Sequence, residues 1–309
     1  MAVLSQTSGR VPLVGIVLGL AAALFFGSAS VLLRIGMRTA PQDDGLFMTI
    51  VVNVVLLGAI GVFVPKPVWD LGSVAVLAAA GLIGAAAGGF AFARAVRLIG
   101  ASRTSVFMNG SPIITAAAGW IILDESVGLA DALGAILVMA SLTHLVRTRS
   151  TAEQVPGTLT AQLPIWAWYL VASAAPILLG LALVLRKWGL ESFDSVVFGA
   201  LIGSVAALFA LTIIDYGTGR LRQRISDNFV EANWWYIGAG VAISLALLSQ
   251  FWAFAFAPVW VIGVLQGTQA LWVLILGHAF LRREERVDAT VIIAALVVVA
   301  GVVLISFNA

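Results

Sequence analysis

The chain has 309 residues, of which 61% are hydrophobic and only 10% are Asp, Glu, Lys or Arg. Soluble domains carry charge on about 25% of their residues, so an ordinary soluble enzyme, a disordered regulator and a nucleic-acid binder are excluded. The net charge is +2, cysteine is absent, and His144 and His278 are the only histidines. Disulfides, thiol nucleophiles and histidine-rich metal centres are thereby removed, and a polytopic membrane protein remains.

A helix needs about 20 apolar residues to cross about 30 Å of hydrocarbon. In chain order such stretches cover residues 11–33, 46–64, 71–93, 104–123 and 128–146, then 164–185, 195–214, 234–256, 258–281 and 287–307. Arg10 and the small residues Ser28, Ala29 and Ser30 imitate a signal peptide. The first apolar run is too long for that reading and is kept as helix 1. The longest polar interruption, 147–163, falls almost at the midpoint. Five spans on either side of it require opposite orientations of the two halves, the inverted-repeat arrangement of many carriers. The predicted fold is therefore all-α, with ten transmembrane helices as two inverted five-helix repeats, 1–146 and 164–309, joined by that linker.

Weak internal similarity agrees with duplication. Val31-Leu32-Leu33-Arg34 is answered by Leu183-Val184-Leu185-Arg186, and Asp124-Glu125 before Val127 is answered by Glu284-Glu285 before Val287. In that register Asn109 corresponds to Gln269, Phe92 to Trp252 and Pro112 to Trp272. Three Gly-x-x-x-Gly pairs, Gly15/Gly19, Gly84/Gly88 and Gly263/Gly267, provide small surfaces for close helix packing.

The order Phe92-Ala93-Arg94-Ala95, Ala101-Ser102, Ser111-Pro112, Asp124-Glu125 and Gly134 resembles the drug/metabolite transporter superfamily, specifically its ten-helix EamA-type permeases. The resemblance covers nearly the whole chain. The second half departs from it, with Trp272 where a proline is expected and a strongly charged junction, Arg282-Arg283-Glu284-Glu285-Arg286. The resemblance implies a secondary transporter of the cytoplasmic (inner) membrane. Such a carrier moves a small organic metabolite such as an amino acid by alternating access, in the export direction and with proton coupling or exchange. It implies neither a cofactor nor an enzyme activity, and the His-Glu-x-x-His and Gly-x-Ser-x-Gly signatures are missing. A lipid or amphiphile translocase of the same fold is the alternative.

Lys and Arg accumulate in cytoplasmic loops. Arg10, Lys66, Arg186 and Lys187 fall on the N-terminal side of the ten spans, and thirteen arginines fall on the other. Both termini are accordingly expected outside the cytoplasm. Arg220, Arg222 and Arg224 read as an anchor for anionic lipid.

Few charges lie in the predicted hydrocarbon, so solute recognition should rest on amides, aromatic faces and helix ends. Gln266, Gln269 and Trp272 recur every third residue along helix 9. An amide facing lipid would lose its water partners, so this stripe should face the bundle. It is the leading candidate pocket, with interhelical bonding as its structural counterpart. Asn109, one turn before Pro112 in helix 4, Asn53 in helix 2, and Gln250 and Trp252 in helix 8 complete the candidates. Gln250 and Trp252 are expected to point in different directions. Pro112 is expected to kink helix 4 in mid-membrane. Trp69, Trp166, Trp168, Trp188, Trp234, Trp235, Tyr169 and Tyr236 sit at span ends and read as interfacial anchors. Asp124 and Glu125 read as a capping or ion-pairing junction with loop arginines. Oligomeric state is not legible.

Overall fold

The computed structural model describes residues 12–39, 45–99, 107–108, 110–149, 165–219, 221, 233–280 and 289–308. All regular structure among them is helical: α1 (Leu13–Thr39), α2 (Leu46–Phe63), α3 (Leu71–Gly81), a π-helix (Leu82–Gly88), α4 (Gly89–Ile99), α5 (Ser111–Leu123) and α6 (Leu129–Arg149). After the midpoint come α7 (Ile165–Glu191), α8 (Val196–Gly217), α9 (Trp234–Ala253), α10 (Val259–Gly267), α11 (Gln269–Phe280) and α12 (Ala289–Asn308). Among the described residues, seven spans are long and apolar enough to cross a membrane, and three shorter apolar helical segments, Ser111–Leu123, Asp131–His144 and Ile292–Leu304, accompany them. The chain is an all-α polytopic membrane protein.

Packing exchanges partners between the halves. In the first half, α1 lies against α9, α10 and α11, while α7 lies against α3, the π-helix, α4 and α5. The first helix of each half, α1 or α7, thus packs against later helices of the other half. Helices α6 and α12 pack together, with the Ser141 hydroxyl donating to the Ala294 carbonyl at 3.1 Å. The most enclosed element is α10, whose Val259, Trp260, Val261, Ile262, Val264 and Leu265 are all buried. A helix apolar on every side belongs in the middle of a bundle. Outer faces present Phe63, Leu71, Leu129, Phe209 and Leu296, as lipid contact requires.

Three local features depart from the sequence expectation. The helix expected to end at 185 continues to Glu191, so Arg186 and Lys187 are helical residues rather than loop residues. Their long stems let the charges leave an apolar helix without ending it. Pro112 stands in the first turn of α5, with Gly110 as N-cap. A missing N–H removes no helical bond there, so Pro112 starts the described helix instead of kinking it. Tyr236 is 2% exposed and is no interfacial anchor. Its ring occupies the space that Cβ atoms on Gly36 and Gly45 would fill, and Gly45 is also a left-handed N-cap with φ 67°. Trp69, Trp188 and Trp234 are exposed, and Trp69 also meets Phe193 and Phe198 edge-on.

Two spans are irregular in mid-course. The span Leu71–Phe92 contains the π-helix. Its Gly81 lies so close to Gly203 of α8 that a Cβ would strike backbone, and Gly84 likewise meets Ala182 of α7. The span Val259–Phe280 is interrupted at Thr268, between α10 and α11. Bonds from Thr268 N–H to Leu265 O (3.0 Å) and from Leu271 N–H to Thr268 O (2.9 Å) make one tight turn of the three-residue kind. The same bond pattern, Gly110 N–H to Phe107 O at 2.8 Å, precedes α5 near the position that the internal register pairs with this break.

Candidate functional site

One end of the bundle is tied by a carboxylate. Asp124 ends α5 in the left-handed conformation, φ 52°, which short polar side chains tolerate. Glu125 is thereby turned toward the start of α10. Its Oε1 and Oε2 accept from Val259 N–H at 2.8 and 2.9 Å, a negative charge at the positive end of a helix dipole. Lys187 Nζ donates to Glu125 Oε1 at 2.6 Å and to Ala257 O at 3.1 Å. The junction acid therefore caps α10 and pairs with a helix lysine, where the sequence reading expected loop arginines.

Deeper in the bundle, the candidate amides fall into separate groups. Asn53 is 3% exposed. Its Nδ2 donates to Ser204 Oγ at 2.9 Å, and Ser204 donates in turn to Ala200 O at 2.8 Å. The Ser244 hydroxyl lies 2.9 Å from both Asn53 Oδ1 and Gly240 O and shares its proton between them. This cluster joins α2, α8 and α9, and each of its side-chain polar atoms has a partner.

Gln250 is fully buried, whereas Trp252 is 56% exposed, so the two do point apart as expected. Gln250 Oε1 accepts from Arg186 Nη1 at 2.8 Å, and its Nε2 donates to Gln266 Oε1 at 3.0 Å. Arg186 Nη2 also lies 3.4 Å from the place a Cβ on Gly84 would take. A single polar chain thus runs from α7 through α9 to α10, beside the π-helix. Gln269 belongs elsewhere: its Nε2 donates to Ser30 Oγ of α1 at 3.0 Å. Trp272, half-buried, follows on the same side, its Cβ against Gly27 of α1. The expected stripe Gln266–Gln269–Trp272 is therefore divided by the break at Thr268, with Gln266 turned to α9 and the other two to α1. Asn109 lies outside the described residues, as do Arg282, Arg283, Glu284, Glu285 and Arg286.

Arg186 is the functional candidate that sequence reasoning missed. Its position after an apolar run looked like a span end. Its counterpart in the repeat, Arg34, was read as lying past a span end in the same way, although α1 in fact continues to Thr39. The other ionisable candidates, His144, His278 and Arg94, have exposed side chains, and no cluster suited to a metal ion occurs among the described residues.

The sequence profile of the EamA-like transporter family matches the chain twice, over residues 13–147 and 166–307. One crystal structure superposes with a TM-score of 0.68 at 16% sequence identity, covering 95% of this chain and 96% of its own, a likeness of fold alone. No curated protein matches.

Proposed function

Because this chain belongs to the EamA-like transporter family of membrane permeases, we propose that it is a secondary carrier. It exports a small organic metabolite, such as an amino acid, across the cytoplasmic membrane by alternating access. The seven long spans and three shorter apolar helices make ten crossings in this reading, arranged as opposed repeats 1–146 and 164–309 about the linker 147–163. The reciprocal packing of α1 and α7 on the other half's later helices supports it. The observation that carries the reading is the pair of interruptions, before α5 and at Thr268, at related positions of the two halves. Broken helices in matching positions are where secondary carriers of inverted design place their solute. In this reading the solute space borders the π-helix, α7, α9 and α10, and Gln269 and Trp272 act from the α1 side of the same span. Both termini lie outside the cytoplasm in this reading.

Solute exchange in proteoliposomes tests the pocket. Gln269→Ala and Trp272→Ala should each lower flux, and normal transport by both overturns the assignment. Headgroup-labelled lipid in the same vesicles should not exchange; if it does while solutes do not, the protein is a translocase of amphiphiles. Labels at residue 155 and at both termini test the orientation. A label at 155 accessible from the same side as the N-terminus defeats the opposed halves.

A further inference from the structure

We propose that Arg186 docks the carboxylate of a monoanionic solute, on a surface made only of hydrogen-bond donors. This rests on the carrier reading above and names its substrate class.

The order of the polar chain is forced by its first member. A guanidinium has donors and no acceptor, so Gln250 must turn its oxygen to Arg186 and its NH2 to Gln266. Gln266 must then answer with its oxygen, as the 3.0 Å bond records. Both ends of the chain are left as donors: the remaining N–H groups of Arg186 and the NH2 of Gln266. Neither end is sealed. Arg186 and Gln266 both keep partial exposure, and none of their nitrogens is a buried atom without a partner. The groups still free at the two ends of the chain are therefore N–H groups, from two helices.

The charge is uncompensated where it lies. The bond to Gln250 is to a neutral amide, and among the described residues no carboxylate pairs with Arg186. The neighbouring acid, Glu125, is engaged by Lys187 and by the N-terminus of α10. An arginine inside a bundle is expensive without a counter-charge, and a solute anion supplies one. The planar fork of the guanidinium fits two coplanar carboxylate oxygens, and the Gln266 amide can take a further lone pair. One free cation matches one negative charge. A phosphate dianion would call for a second, and Lys187 is already paired.

The test uses the purified full-length protein in detergent and reads thermal unfolding. The probes are acetate, propionate, benzoate and phenylacetate, each beside its carboxamide, with inorganic phosphate as a further arm. At least one carboxylate should raise the melting temperature while its carboxamide does not. Arg186→Gln should lose that shift and Arg186→Lys should reduce it. Should Arg186→Gln fail to fold, Gln266→Glu, which sets a negative charge at the other donor, should lose it too. The proposal is overturned by equal shifts from carboxylate and carboxamide, by an equal or larger shift from phosphate, by no shift from any carboxylate, or by a carboxylate shift that survives in the folded variants. Flux of neutral solutes without a carboxylate response removes this inference and leaves the carrier standing. Carboxylate binding that depends on Arg186, without flux of any solute in vesicles, removes the carrier reading and leaves the donor surface standing.

Discussion

Asn53 and Gln250 are both buried amides that bridge helices, yet the clusters around them end differently. Around Asn53 the chain of bonds closes on backbone carbonyls, at Ala200 and Gly240, and nothing is left over. Around Gln250 it begins at a cation and finishes at an amide whose NH2 has no partner among the described residues. A closed cluster holds helices together and asks for nothing further. An open one, oriented by a charge, has unsatisfied donors of a single kind, which is what a recognition surface needs. The two central amides are alike in burial; their partners, and the donors and acceptors those partners leave over, separate them.

The largest effect should come from breaking the open cluster at its centre. Gln250→Leu removes the acceptor of Arg186 and the donor to Gln266 together, and solute flux in proteoliposomes should fall at least about tenfold, the loss of one charge-assisted hydrogen bond of about 1.5–3 kcal/mol. Retained flux would make the two clusters equivalent. Removing the tie at the bundle end comes next. Glu125→Ala leaves Lys187 without its partner and α10 without its cap, and should lower unfolding stability by about 3 kcal/mol. Lys187→Met combined with Glu125→Leu should recover part of that loss, because no unpaired charge remains. In the closed cluster, Asn53→Leu should lower stability by about 1 kcal/mol and alter flux less than Gln250→Leu does, since Ser204 and Ser244 keep their backbone acceptors. A larger flux effect at Asn53 than at Gln250 would reverse the comparison.

The smallest effect concerns pH. Asp70 accepts from Ser73 N–H at 2.7 Å as the N-cap of α3, and that backbone bond holds its carboxyl below the ordinary range, with the Ser73 side chain adding to the effect. A carboxyl depressed in the folded state contributes stability above its unfolded pKa and loses it as the pH falls through the folded one. The capping contribution should therefore fade only under acid conditions, below the ordinary carboxyl range. Asp70→Asn should flatten the stability profile there, losing the ionised carboxyl's small contribution at neutral pH and matching the parent protein in acid.

The long helices were legible because lipid imposes one rule on every residue of a span, and the apolar runs 46–64, 195–214 and 234–256 lie close to α2, α8 and α9. What escaped depends on contacts between helices. In Leu265-Gln266-Gly267-Thr268 the glycine reads equally as a packing residue and as a helix stop, and Thr268 interrupts the span with its own hydroxyl bonded to Leu265 O at 2.6 Å. The π-helix lies in a run of Gly and Ala that also fits an ordinary helix. Arg186 was hidden by the habit of ending a span where charge begins, although a long stem lets a charged residue continue an apolar helix. The amides themselves were recognised, but their partition into closed and open clusters requires knowing which helices touch.

The interruption at Thr268 leaves one crossing fastened at two unrelated places. Its first piece is pinned through Glu125 to α5 and α7, its second through Gln269 to Ser30 on α1. A continuous rod would transmit torsion from one membrane face to the other. Here the rod continues through one tighter turn at Thr268, and any twist between the two anchors is taken up at that turn.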